Sequence, residues 1–113
     1  HRAQRIIARA AGAAMSRHLL PRELTIHTAA DTHRALLAWV AGLGDARAWH
    51  VDASPVDETD GAGVQLLLSL SRSAAQAQAT LHIETPSPAL ARACRTLGVA
   101  GTLLDIPADG RPA

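Results

Sequence analysis

Residues 51–68 read VDASPVDETDGAGVQLLL, and this stretch decides the fold. It enters on an alternation. Trp49, Val51 and Ala53 fall on one face of an extended segment and Ala48, His50 and Asp52 on the other, which predicts a strand over 48–53. Ser54 and Pro55 break it, because proline has no backbone N–H to continue a ladder. Residues 56–60 then form a short acidic loop. Gly61, Ala62 and Gly63 open a helix with Val64, Leu67, Leu68 and Ser71 on one stripe. Leu66 and Leu70 widen that stripe, as expected of a helix packed on more than one side. Asp60 is placed to cap it: its carboxylate can accept from orphan first-turn amides and neutralise the positive helix end. Gly61 and Gly63 suit a tight turn and a close approach of another surface. Gly63 in the first turn costs about 1 kcal/mol relative to alanine in a helix interior, so a steric reason is expected there.

The flanks repeat the pattern. Residues 24–28 (LTIHT) alternate and predict a strand. Thr28 and Asp31 match a capping pattern for a helix carrying Leu36, Leu37, Val40 and Leu43, ended by Gly42 or Gly44. Residues 80–84 (TLHIE) predict a third strand, with Leu81 and Ile83 on one face. Ser87 and Pro88 suit the N-cap and first position of a helix whose stripe is Leu90, Ala91, Cys94 and Leu97, stopped by Gly98. Residues 99–106 add a short last element. Strand and helix alternating three times predict an α/β fold: a mostly parallel or mixed sheet of about four strands flanked by helices. Sites in such sheets gather at the carboxyl ends of strands, here residues 28–31, 54–63 and 85–88.

The central stretch resembles the signature of STAS domains, the anti-sigma-factor-antagonist-like family. That signature is an apolar strand with an Asp, a short loop, and Asp-Ser/Thr-Ser/Ala-Gly opening a Leu-rich helix. Residues 24–30 look like the family's strand-to-helix entry, and residues 87–90 with 97–99 like its last helix, so the resemblance runs over roughly residues 17–104. It implies a small STAS-type fold and a non-catalytic, regulatory protein-binding module in bacterial signalling. The partner would be an anti-sigma or kinase-like regulator. An alternative from the same family is a cytoplasmic accessory subunit that binds the ATPase of a lipid-transporting ABC system. The expected partner-binding residues are Thr59, Asp60, Gly61, Ala62, Gly63, Val64 and Leu67, with Thr28 and Ser87 beside them. In the regulatory branch, the third place of the motif is a serine that a partner kinase phosphorylates, and the added charge switches binding. Here Ala62 holds that place and Gly61 precedes it. Neither has a hydroxyl, so the usual switch is missing; Thr59 and Ser54 are the nearby hydroxyls.

Composition excludes several other classes. A chain of 113 residues suffices for one hydrophobic core. With 48% hydrophobic and 19% charged residues it is not a disordered polymer. The net charge is +1, the arginines are scattered, and the aromatic residues are Trp39 and Trp49, which argues against a nucleic-acid platform. A single cysteine, Cys94, allows no intrachain disulfide and fits a reducing, cytoplasmic setting. No apolar run approaches the roughly 18 residues of a membrane span. Residues 1–14 carry Arg2, Arg5 and Arg9 around Ile6 and Ile7 and read as an N-terminal extension, helical or non-native. Residues 15–106 read as a single domain and 107–113 as a flexible tail.

Other chemistry finds little support. His27, His50 and His82 fall at analogous places in three strands and would line one sheet face, but strand histidines are more often partly buried and bonded to backbone or water than metal-bound. Asp57, Glu58 and Asp60 read as a solvated loop with a capping Asp. Cys94 lies on an apolar stripe, as an inert core thiol does. There is no Ser–His–Asp arrangement and no phosphate-binding Gly-Lys-Ser/Thr loop. The reading is therefore of a protein that is not an enzyme, with no cofactor and no metal.

Overall fold

The computed structural model describes residues 17–104. The N-terminal extension 1–14 and the tail 107–113 lie outside the described residues. Among the described residues, five strands and four helices follow in order: β1 (His18–Leu19), β2 (Glu23–Leu24), α1 (Ala29–Ala41), β3 (Ala48–Asp52), β4 (Glu58–Thr59), α2 (Gly61–Gln76), β5 (Thr80–Glu84), α3 (Pro88–Thr96) and α4 (Ala100–Leu103). Every strand pairing is parallel. One sheet has the order β1-β3-β5, and β2 and β4 form a separate two-stranded pair.

The expected alternation in β3 is present. Trp49, Val51 and Ala53 are buried at 4, 0 and 0% exposure, and Val51 faces Ile83 across the ladder. Val64, Leu67, Leu70 and Ala74 of α2 pack on the same core, with Leu66 and Leu68 partly buried at its margins. Leu90, Ala91 and Cys94 of α3 complete it. Burial of such side chains stabilises by about 1.5–3 kcal/mol each, which is how a core with no Phe or Tyr is held.

Four local expectations are corrected. The strand expected over residues 24–28 stops at Leu24. Thr25 donates its hydroxyl to Glu23 Oε2 at 2.7 Å and accepts from the His27 amide at 3.2 Å, while the Thr28 amide donates to the Thr25 carbonyl at 3.1 Å. Such local side-chain bonds compete with a ladder and fold the segment into a turn. Thr28 holds the N-cap place of α1 without capping it, because its hydroxyl donates back to the Glu23 carbonyl at 2.8 Å. Leu37 and Leu97 are 56 and 50% exposed, so the buried stripes of α1 and α3 are narrower than their leucines suggested. Finally, the acidic loop 56–60 contains a strand, β4, whose register sets Leu24 opposite Thr59. Val56, 1% exposed, anchors that loop into the core.

Candidate functional site

The β2–β4 pairing brings two distant turns together at the start of α2. Leu24 ends β2 and Thr59 ends β4, so the turn 25–28 and the cap of α2 leave the pair side by side. Asp60 joins them. One carboxylate oxygen accepts from the Gly63 amide at 3.1 Å and caps the helix; the other accepts from the Ile26 amide at 3.0 Å and holds the neighbouring turn. These two backbone donors, Ile26 first, keep the Asp60 carboxyl below its ordinary pKa, since hydrogen bonds to the charged form favour it. Ile26, held in this way, is 65% exposed.

The two glycines of the motif differ physically. A Cβ on Gly63 would lie 2.0 Å from the Leu24 carbonyl oxygen and 2.8 Å from Thr59 Oγ1, so only glycine lets α2 approach β2 this closely. A Cβ on Gly61 would meet nothing within 4 Å. Ala62 between them is half-buried. The Thr59 hydroxyl donates to the Leu24 carbonyl at 2.8 Å, so it is engaged in the scaffold. Ser54 is exposed; its amide donates to Asp52 Oδ1 at 2.9 Å and its hydroxyl bonds the same carboxylate, and together they lower the Asp52 pKa.

Asp60 just past β4 caps a Leu-rich helix whose start Gly63 presses on β2. A family model described as "Mlab, STAS domain" matches residues 20–105. The chain belongs to the STAS domain family. No curated protein and no solved structure matches it.

In this STAS domain the expected partner-binding residues separate into two layers. Thr59, Asp60, Gly61 and Ala62 reach the surface. Val64 and Leu67, both 0% exposed, support that surface from beneath, and Gly63 is buried with them. Thr28 is half-buried and bonded to Thr25 and Glu23. Ser87 is 6% exposed and accepts from the Leu90 amide at 3.1 Å as the cap of α3. Beside the α2 start runs a groove of about 470 Å³, walled by residues 57–61 on one side and by Ala89, Arg92, Ala93, Thr96 and Leu97 of α3 and its end on the other. Sequence reasoning missed Ile26 and this groove, because both arise from contacts between segments about 35 residues apart.

The STAS sheet has a second, polar face. His50 and His82 oppose each other in register and their rings stack with centroids 5.1 Å apart; His27 lies in the turn 25–28, away from them, which corrects its expected place on that face. His50 Nδ1 stands 3.5 Å from Glu84 Oε1 without a hydrogen bond, and Arg17 reaches across β3 to Glu84 at 2.6 and 3.2 Å. A hollow of about 230 Å³ lies here, against Leu103 and Leu104. Among the described residues, no group of three or more His, Cys, Asp or Glu converges to hold a metal, and no helix is long and apolar enough to cross a membrane. Cys94 is fully buried, and burial pushes its thiol pKa up, away from the reactive thiolate.

Proposed function

We propose that this STAS domain, spanning residues 15–106, is a non-catalytic protein-binding module of the anti-sigma-factor-antagonist type, at work in the bacterial cytoplasm. Its partner, an anti-sigma or kinase-like regulator, docks over the α2 start and the turn that Asp60 holds beside it. The contact is unswitched at the family's usual position. The observation that carries this reading is the α2 start itself: Ala62 and Gly61 offer no phosphoacceptor, while Asp60 still presents Ile26 and the helix end as one surface. A hydroxyl at position 61 would have room, so its absence is not imposed by packing.

Co-purification with the tagged protein, followed by mass spectrometry, identifies the partner. Ala62→Asp adds a negative charge where phosphate sits in relatives and is expected to release that partner with the fold intact. Retention of the partner by a folded Ala62→Asp protein would place docking elsewhere. Recovery of an ATPase of a lipid-transporting ABC system instead of a regulator would replace the signalling role by the accessory-subunit role at the same surface.

A further inference from the structure

We propose that the groove between the α2 start and α3 receives a basic amphipathic helix of the partner protein, which passes close over Gly61. This rests on the docking reading above and adds the chemistry of what docks.

Charge points to a basic occupant. Asp57, Glu58 and Asp60 stand on one wall, against Arg92 on the other. Arg22 binds Asp57, and two backbone amides hold Asp60. The Glu58 amide donates to the Arg22 carbonyl at 3.2 Å, but its exposed side chain makes no hydrogen bond or ion pair among the described residues. The groove therefore keeps a net negative wall with one carboxylate ready for a Lys or Arg.

Shape points to a helix. Ala89, Ala93 and Leu97 are spaced by four along α3, so they form one ridge, small at two places and ending in a half-exposed leucine. A ridge of this kind takes the apolar stripe of another helix, with polar flanks to either side. Gly61 completes the argument. It opens α2 directly after the Asp60 cap and has open space for a side chain. Nothing within the fold requires glycine there, whereas a backbone or side chain lying against its Cα does.

The test uses the full, isotope-labelled chain and two 18-residue helical peptides. Both carry the same leucine stripe; one has lysine and the other glutamate on its polar face. The lysine peptide is expected to shift the amides of Glu58, Gly61, Ala93 and Leu97 saturably, and more weakly at high salt. Glu58→Lys is expected to weaken it about tenfold. Gly61→Val is expected to abolish binding while the melting temperature holds. Equal binding of the glutamate peptide, shifts confined to the His50–His82 face, no saturable shift, or normal binding to Gly61→Val would each overturn the proposal. Groove shifts that appear on deleting residues 1–14, or on raising protein concentration without peptide, would make the occupant this chain's own segment or a second copy, and overturn it too. The co-purified partner separates this failure from that of the docking reading. Loss with Ala62→Asp alone, and normal binding to Glu58→Lys and Gly61→Val, removes the groove and keeps the docking surface. Normal binding to all three removes both.

Discussion

Two glycines two residues apart have opposite reasons for being glycine, and substitution tells them apart. At Gly63 the obstacle is backbone: a methyl group would sit 2.0 Å from the Leu24 carbonyl oxygen, which cannot swing aside as a side-chain tip can. Gly63→Ala must move α2 off β2, and is expected to lower stability at or beyond the upper end of the about 1–3 kcal/mol typical of overpacking. At Gly61 there is no obstacle. Gly61→Ala is expected to raise stability by about 0.5 kcal/mol, because the unfolded chain loses freedom and the helix gains propensity. Urea titration of the two variants measures both. A stable Gly63→Ala protein would mean that the close approach of α2 to β2 does not hold in solution. Asp60 and Gly63 hold the turn 25–28 and the α2 start together, and position 61 faces open space beyond them.

Two of the described helices, α2 and α3, begin where a side chain meets an orphan amide, whereas α1 and α4 have no side-chain cap. Ser87 is 6% exposed, accepts from the Leu90 amide at 3.1 Å and precedes Pro88, so α3 has a fixed start. Ser87→Ala leaves that amide buried without a partner and is expected to cost about 1–2 kcal/mol in chemical denaturation. Thr28→Ala should act differently: its hydroxyl closes the turn 25–28 and does not cap α1, so the variant should loosen that turn, part of the proposed docking surface. Amide exchange at Ile26 and His27 reads that out, and unchanged protection there would contradict it. This contrast also shows what the sequence could reveal. Ser87-Pro88, the alternation of 49, 51 and 53, and the stripe of α2 were legible, because each is a local pattern with a local cause. The two-residue strands β1, β2 and β4 were not. Their partners are 33–35 residues away, and two residues carry no period. The proposed docking surface was half legible for the same reason. Asp60 and its glycines stand together in sequence, whereas Ile26 and the groove exist only once β2 pairs with β4.

Across the whole molecule, the groups with displaced protonation are an imidazole, two carboxyls and a thiol, so their titrations should resolve as separate steps in stability. His18 packs on Trp39 at the β1 edge, with centroids 5.3 Å apart, and burial lowers its pKa. The unfolded chain therefore takes up that proton first, so the neutral form's contribution is present above about pH 6.5 and is lost as pH falls below it. Asp52 and Asp60 are held low by backbone amides, of Ser54 and of Ile26 and Gly63 respectively. Their contribution is present above about pH 4 and is lost as pH falls through their folded values. Cys94 is displaced upward by burial, so stability falls as pH rises past about 8.5, where the unfolded thiol ionises first. Urea midpoints measured from pH 3 to 10 should thus show a plateau between about pH 7 and 8, one step down on the alkaline side and two on the acid side. His18→Gln should erase the upper acid step and leave the lower one, which belongs to the carboxylates. An upper step that persists in His18→Gln would move the neutral buried imidazole elsewhere. Loss of the lower step as well would mean that the backbone bonds holding Asp52, beside β1, and Asp60, at the α2 start, both depend on the His18 packing.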